Sequence, residues 1–286
     1  MIKFEHCDTV IGAVVTGCDL SCVPDVDAIA VIEAALEKYG VLIFRGQRIS
    51  PAEQIAFSRA FAALEQTSRV SARLEGHPEI FVVGIEDGKA VSFAPADGSA
   101  ELELHADHMH LEAPARASML YCLETPPVGG ETLFACMYSA YDALSADAKA
   151  EADDLIAQHS VSGLQAFLRQ KGAEGAAAGK YSSPETLVVK WPLVRHHPLT
   201  GRKSLYFGSK VTIGIEGWPD TKARPYIENL EAQATVDGFR YAHAWQPGDA
   251  VLWDNRRVLH AGTFFDMSAH ARRMHRTTWR EEHPIA

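Results

Sequence analysis

At 286 residues, 47% of them apolar, the chain can bury a large core, and its length suits one large β-rich domain as well as two small ones. A formal net charge of −10 excludes an extended basic face for nucleic acid, while leaving room for a local arginine cluster that binds anions. No signal pattern follows Met1, no apolar run approaches the ~20 residues of a membrane span, and the five cysteines (Cys7, Cys18, Cys22, Cys122, Cys136) are odd in number and scattered; a soluble, reduced, cytoplasmic protein is expected.

In chain order, residues 9–23 carry short apolar runs with glycines and read as a strand or hairpin. Residues 25–39 have helical periodicity, with Ile29, Ile32, Ala35 and Leu36 on one stripe and Gly40 as the stop. Val41-Leu42-Ile43-Phe44 is a wholly apolar strand. Ser50-Pro51-Ala52-Glu53 is a capping box with proline at the first helical position, opening a helix to about residue 63. A strand at 79–85 leads into residues 86–101, which are glycine-rich and polar without a period. Such a loop, directly ahead of a histidine-rich segment, is expected to be a substrate lid. A buried strand at 117–123, an alanine-rich helix over 137–157 and a mobile loop at 172–179 follow. Strands at 188–195 and 204–208, a helix at 221–234 and the turn Gln246-Pro247-Gly248-Asp249 feeding a strand at 250–253 complete the chain. Many short strands bounded by turns, with no repeat and no linker, predict a mainly β fold with flanking helices (α+β), a jelly roll or barrel-like sandwich in one domain over 1–286.

The chemistry concentrates in Leu104-His105-Ala106-Asp107-His108-Met109-His110 and in the segment from Val251 to His260. On a strand, side chains at i and i+2 leave the same face, so His105 and Asp107 converge, and a continued strand puts His108 and His110 on the opposite face. A histidine and a carboxylate two apart, completed by the remote His260, make the 2-His-1-carboxylate set of non-heme Fe(II) oxygenases, with open cis positions for a chelating cosubstrate and O2. In Arg272-Arg273-Met274-His275-Arg276, a strand places Arg272, Met274 and Arg276 on one face and His275 on the other. Two guanidinium groups on an inward face need anions, and their forks suit carboxylates. Val128-Gly129-Gly130-Glu131-Thr132-Leu133 is a glycine turn entering a strand, which can offer the Thr132 hydroxyl to a ligand. Asp254 has no strand relation to His260 and reads as ordering the turn that aims that ligand. His196 and His197 precede Pro198 and are expected at the surface; Trp191, Trp245 and Trp253 are expected in the core.

The segments His105-Ala106-Asp107, Gly129-Gly130-Glu131-Thr132, Trp191-Pro192-Leu193-Val194-Arg195, Trp253-Asp254-Asn255-Arg256 through His260, and Arg272-x-Met274-His275-Arg276 follow one another across most of the chain. In this order they resemble the taurine dioxygenase and 2,4-dichlorophenoxyacetate dioxygenase family of Fe(II)- and 2-oxoglutarate-dependent enzymes, and residues 191–203 resemble its chlorophenoxyacetate branch. The resemblance implies a double-stranded β-helix of the cupin-like jelly-roll type, with Fe(II) on His105, Asp107 and His260. It implies 2-oxoglutarate chelated through its 2-oxo and C1 carboxylate groups, its distal carboxylate on Arg272 and Thr132, and O2 as the second cosubstrate. The reaction implied is C–H hydroxylation with release of succinate and CO2, and ether cleavage where the new hydroxyl falls on a carbon bearing oxygen. Related halogenases carry a small residue at the position of Asp107, so the carboxylate argues for hydroxylation. By the same resemblance Arg276 anchors an acidic group of the substrate and His110 lines its pocket.

Departures narrow the substrate. Taurine-type enzymes have an aromatic residue before the H-x-D and an asparagine four before its histidine, where this chain has Leu104 and Glu101. Nothing in residues 67–73 matches their histidine and tyrosine, so taurine is not expected; Glu101 would face an amine or be a solvated loop acid, and Arg69 or Arg73 would add a cationic contact. An aryloxy- or alkylcarboxylate is expected ahead of a sulfonate or sulfate ester. A zinc hydrolase on the same ligands would turn over without O2, and a non-catalytic metal-binding jelly roll would have no use for Arg272 and Thr132. A homo-oligomer is expected on base rates.

Overall fold

The computed structural model describes residues 1–66, 72–86, 89–90, 104–170, 186–266 and 268–281. Its N-terminal part builds β1 (Lys3–His6), β2 (Ala13–Thr16), α1 (Val26–Tyr39), β3 (Val41–Phe44) and α2 (Pro51–Arg59), followed by β4 (Arg73–Leu74), β5 (His77–Glu86) and β6 (Lys89–Ala90). Beyond these come β7 (Ala115–Glu124), β8 (Thr132–Cys136), α3 (Met137–Asp142), α4 (Ala146–Asp153), β9 (Ile156–His159) and α5 (Val161–Gln170). The C-terminal part holds β10 (Val189–Pro192), β11 (Val194–His196), β12 (Lys203–Leu205), β13 (Thr212–Ile215), α6 (Asp220–Ala234), β14 (Arg240–His243), β15 (Ala250–Asp254), β16 (Val258–Gly262) and β17 (Arg273–Arg280).

Local chemistry sets the helix ends. The Asp25 carboxylate accepts the Ala28 amide at the start of α1, and Gly40 closes it at φ 73°, a left-handed conformation that glycine adopts without a Cβ penalty. Ser50 and Glu53 cap α2 reciprocally. That helix ends at Arg59, short of 63, and Phe61 beyond it stacks on Trp279 with ring centroids 4.7 Å apart. Residues 137–157 are not one helix. Ser145 caps a separate α4, and from Ile156 the chain becomes a strand because β10 and β13 pair with it on both sides. Alanine tolerates either conformation; the pairing partners decide.

The large sheet runs β1-β2-β3-β15-β7-β17-β5-β4, with β6 on β5, and is antiparallel except between β2 and β3. The smaller sheet β14-β8-β16 lies against its inner face, where Phe134 of β8 meets Trp253 of β15 with ring centroids 5.5 Å apart. Strand alternation sorts the side chains. Ile43, Leu120, Val251, Trp253 and Met274 point between the sheets, while Leu42, Met119, Leu252 and Trp279 point outward under α1 and α2. Both faces are covered, which is why these strands read as unbroken apolar runs. A third apolar cluster joins α3 and α6 to β9, β11, β12 and β13.

Among the described residues no helix is long and apolar enough to cross a membrane, and all five cysteines are free. The lid expected over 86–101 lies outside the described residues, apart from the β5–β6 pairing of Glu86 with Lys89, as does the loop expected over 172–179.

Candidate active site

Two backbone hydrogen bonds bring the two candidate histidine donors together. His105 donates its N–H to the His260 carbonyl at 3.1 Å, and His260 returns one to the His105 carbonyl at 2.9 Å, an isolated antiparallel bridge at the edge of the small sheet. Residues that exchange both bonds stand opposite each other with side chains on one face, so the two imidazoles meet at 4.4 Å between centroids.

The chain does not continue as a strand. It turns over Asp107 to His110, with His108 at φ 57° and the Leu111 amide donating to the His108 carbonyl. A histidine in the left-handed region is uncommon and costs energy that surrounding structure must offset. The strand continuation that would put His108 and His110 on the face opposite His105 and Asp107 thus does not occur, and the two rings meet edge-on 6.5 Å apart.

Asp107 is placed by side chains rather than by strand geometry. Its N–H donates to Asn255 Oδ1 (3.1 Å), and its carboxylate accepts from Ser118 Oγ (2.6 Å) and from Arg276 Nη1 (2.5 Å). Asn255 also donates to Ser118 Oγ and accepts the Trp253 indole N–H, both at 3.0 Å. Asp107 consequently sits 4.0 Å from His105 Nε2 and 3.9 Å from His260 Nε2, and one donor atom from each of the three lies within 4.8 Å of the others. Asn255 owes its position to a fully buried network behind it. Asp254 accepts from the backbone N–H, Nε and Nη2 of Arg256 and lies 3.0 Å from His197 Nε2, pinning the turn between β15 and β16. His197, expected at the surface, is 2% exposed because it fills this network; its neighbour His196 faces outward.

The protonation states suit a divalent metal. Burial pushes His260 down to about 3, and the neighbouring His105 adds to this, so the ring is neutral at neutral pH. Burial would raise the Asp107 carboxyl, but Arg276 together with His260 and His105 outweighs it and holds the group well below the usual carboxylate range. A neutral His260 beside an ionised Asp107, with His105 as the third donor, is a set that suits a divalent metal.

Arg272 lies just ahead of β17, before a register shift between Arg273 and Met274, so a bulge rather than plain alternation separates the two arginines. They do not meet the same partner. Arg276 reaches Asp107, whereas Arg272 donates from Nε to the Gly130 carbonyl (3.0 Å) and from Nη2 to Thr132 Oγ1 (3.3 Å). Gly130 has φ 73°, and a Cβ there would meet Pro126 at 2.9 Å and the Arg272 stem at 3.3 Å, so the turn must be glycine for the arginine to fit. Burial lowers Arg272 to about 10, which leaves it cationic at neutral pH, and among the described residues no carboxylate pairs with it. A buried cation without a counter-charge is unfavourable unless a ligand brings one. Thr132 lies on the same face as His260, because His260 pairs with Phe134 and Thr132 is two residues from Phe134 on β8. Thr132, which Arg272 contacts, thus faces the same side of the small sheet as His260.

Glu101 and Arg69 lie outside the described residues, and Arg73 sits half-buried on β4. His275 is buried on the far face of β17 from Arg276, as expected. Sequence reasoning missed Ser118 and Asn255 as holders of Asp107, and missed that the Trp245 indole donates to Thr132 Oγ1 at 3.0 Å. The only signal was the Trp253-Asp254-Asn255-Arg256 block; nothing near Ser118 marks it.

Buried histidines make a pH prediction. Burial holds His159 and His260 at about 3 in the folded chain, against 6.5 for the free side chain. Between these values the unfolded chain binds more protons, so stability falls as pH falls from 6.5 toward 3, by about 1.4 kcal/mol per pH unit for each group. Melting temperature measured for the metal-free protein from pH 7 to 4 is expected to drop steadily, and His159→Gln to flatten the slope.

The chain matches the profile of the taurine catabolism dioxygenase TauD, TfdA family over residues 3–278. It is 35% identical over 246 residues to an alpha-ketoglutarate-dependent 2,4-dichlorophenoxyacetate dioxygenase of Cupriavidus pinatubonensis, covering 83% of this chain and 84% of the relative. It is likewise 35% identical over 263 residues to an (S)-phenoxypropionate/alpha-ketoglutarate dioxygenase of Sphingobium herbicidovorans, covering 91% and 89%. Among solved structures, AAD-2 in complex with Mn(II) and N-oxalylglycine superposes with a TM-score of 0.79 at 30% identity, covering 100% of both chains. With the profile spanning nearly the whole chain, this protein belongs to the TauD, TfdA family of dioxygenases.

Proposed function

We propose that the chain is a 2-oxoglutarate-dependent non-heme Fe(II) dioxygenase that hydroxylates a C–H bond of a small anionic substrate, an aryloxyalkanoate or similar carboxylate. The observation that carries the reading is the buried, uncompensated Arg272 with Thr132, on the same side as the His105, Asp107 and His260 donors. Such an arrangement suits a diacid whose one end chelates a metal and whose other end is a carboxylate. Aryloxyalkanoate-dioxygenase relatives and the N-oxalylglycine complex of AAD-2 support the same substrate and cosubstrate classes. By the same kinship we infer that the two apposed sheets form a double-stranded β-helix, and that the enzyme is a cytoplasmic homo-oligomer.

When bound, Fe(II) supplies the activation of O2 that couples decarboxylation of 2-oxoglutarate to hydroxylation, with succinate and CO2 released. The residues supply placement. Ser118, Asn255 and Arg276 fix Asp107, and the bridge to His105 fixes His260. Arg272 and Thr132 hold the distal carboxylate of 2-oxoglutarate. Arg276, whose guanidinium lies 4.8 Å above the Phe81 ring, offers its remaining donors to the substrate's acidic group beside an aromatic surface. Trp253, with ring centroid 4.6 Å from that of His260, and Phe134 keep water from one side of that ligand.

An anaerobic titration of the metal-free protein with Fe(II) and 2-oxoglutarate tests the reading. A weak visible charge-transfer band is expected, absent in His105→Ala and shifted by the aryloxyacetate, alkanoate, sulfonate or sulfate ester that is the substrate. Arg272→Ala is expected to raise the KM for 2-oxoglutarate about 30-fold or more, the cost of truncating one partner of a buried charge pair. No band in folded, iron-loaded protein would remove the dioxygenase reading.

A further inference from the structure

We propose that Trp245 is a positioning residue that fixes the direction of the Thr132 hydroxyl proton and so makes the Arg272 site selective for a carboxylate. The proposal rests on the reading of that site as the 2-oxoglutarate site and deepens it.

A threonine hydroxyl has one proton and two lone pairs, and it rotates to suit its surroundings. Thr132 is buried, and its Oγ1 accepts twice, from the Trp245 indole N–H at 3.0 Å and from Arg272 Nη2 at 3.3 Å. Both lone pairs are engaged. The hydroxyl proton has no acceptor among the described residues, so a buried donor is left for a ligand to satisfy. Indole is a donor without an acceptor, so it cannot swap roles and let Thr132 turn its proton inward. With Arg272, itself donor-only, Thr132 offers a ligand N–H and O–H groups. A carboxylate meets these donors with two proton-free oxygens and the counter-charge, whereas an amide turns its NH2 toward one of them and an alcohol offers one oxygen and no charge.

Trp245 is itself held. The His243 ring stands edge-on against it with centroids 4.4 Å apart, and His243 bonds Tyr241 Oη at Nδ1 (2.9 Å) and Asp249 Oδ2 at Nε2 (3.2 Å). Burial keeps the Tyr241 hydroxyl protonated, pushing it up to about 12, and lowers His243, so tyrosine donates to a neutral imidazole that donates in turn to the carboxylate. Arg45 pairs with the same Asp249 oxygen. His243 is also the strand partner of Thr132 on β14 and β8, so the ring assembly and the hydroxyl it orients share one register.

The test is anaerobic calorimetry on Mn(II)-loaded protein with two acids, 2-oxoglutarate and 2-oxovalerate, which shares the chelating head and lacks the distal carboxylate. Trp245→Phe keeps a ring and removes the N–H. It is expected to weaken 2-oxoglutarate roughly three- to tenfold, the worth of one hydrogen bond, and to leave 2-oxovalerate unchanged. Thr132→Val is expected to lose a similar factor, and the double variant to lose no more than Thr132→Val alone, because both act through one hydroxyl. Wild-type affinity in Trp245→Phe, equal weakening of both acids, or additive losses in the double variant would overturn the role of Trp245. Should Trp245→Phe not fold, unchanged 2-oxoglutarate affinity in Thr132→Val would overturn it equally. A wild-type protein that does not prefer 2-oxoglutarate over 2-oxovalerate would instead sink the underlying assignment of the site.

Discussion

Asp107→Ala is expected to yield a folded protein that shows no metal-dependent rise in melting temperature and no turnover. The wild-type triad offers two imidazoles and one carboxylate, with donor atoms within 4.8 Å of one another. Removing the carboxylate takes away the only negative charge among the three donors and leaves Arg276 pointing at the two histidines that remain. Loss of a partner that merely supports a ligand costs roughly 10- to 100-fold in metal affinity; loss of the ligand itself next to a freed guanidinium must exceed that. The metal-free variant also breaks a pair whose carboxylate is 3% exposed and whose arginine is 15% exposed, a loss bounded by about 3–5 kcal/mol for a fully buried pair. Thermal melts with and without Mn(II) separate the effects. Wild-type protein at a metal concentration a hundred times its Kd gains about 2.7 kcal/mol, and an undiminished gain in Asp107→Ala would place the metal elsewhere.

Arg276→Ala is expected to raise the KM for the substrate about 30-fold or more while leaving the KM for 2-oxoglutarate near its wild-type value. The two arginines separate in the structure: Arg272 is spent on Gly130 and Thr132, Arg276 on Asp107 and the face of Phe81. Metal affinity gives a second observable with a defined sign. Arg276 competes with a dication for the same carboxylate, whereas Ser118 and Asn255 hold Asp107 without charge. Its removal is therefore expected to tighten Mn(II) binding modestly. By reciprocity, a substrate anion that neutralises Arg276 should do the same in the wild type. A variant that loses only thermal stability, with both KM values intact, would reduce Arg276 to a structural partner of Asp107.

The candidate metal and carboxylate donors are legible in the chain itself because they depend on residue type and order. His105-Ala106-Asp107, His260 and Arg272-x-Met274-His275-Arg276 name their chemistry by composition, since few side chains can hold a divalent metal or a carboxylate. The helix at 26–39 is legible through Asp25 and Gly40, which satisfy its ends locally, and the strands at 41–44 and 250–254 through apolar runs bounded by turns. Strand alternation accounts for only half of the convergence of His105 and Asp107. His105 meets His260 across a strand-like bridge, but Asp107 reaches the site from a turn, held by Asn255 and Ser118. Residue spacing alone does not distinguish a strand from a bridge followed by a left-handed histidine.

Residue type and neighbours a few positions away settle which side chains are available for metal and carboxylate binding and most of the strands and helices; Ile156–His159 is the exception, a strand only because β10 and β13 pair with it. Only the tertiary structure decided who meets whom. Arg276 on Asp107, His197 on Asp254 and Trp245 on Thr132 join residues far apart in the chain. Their meeting depends on sheet order and register, and on which face of each strand is turned inward. No local periodicity encodes those choices; they are settled by the joint burial of many side chains and the pairing of their backbones.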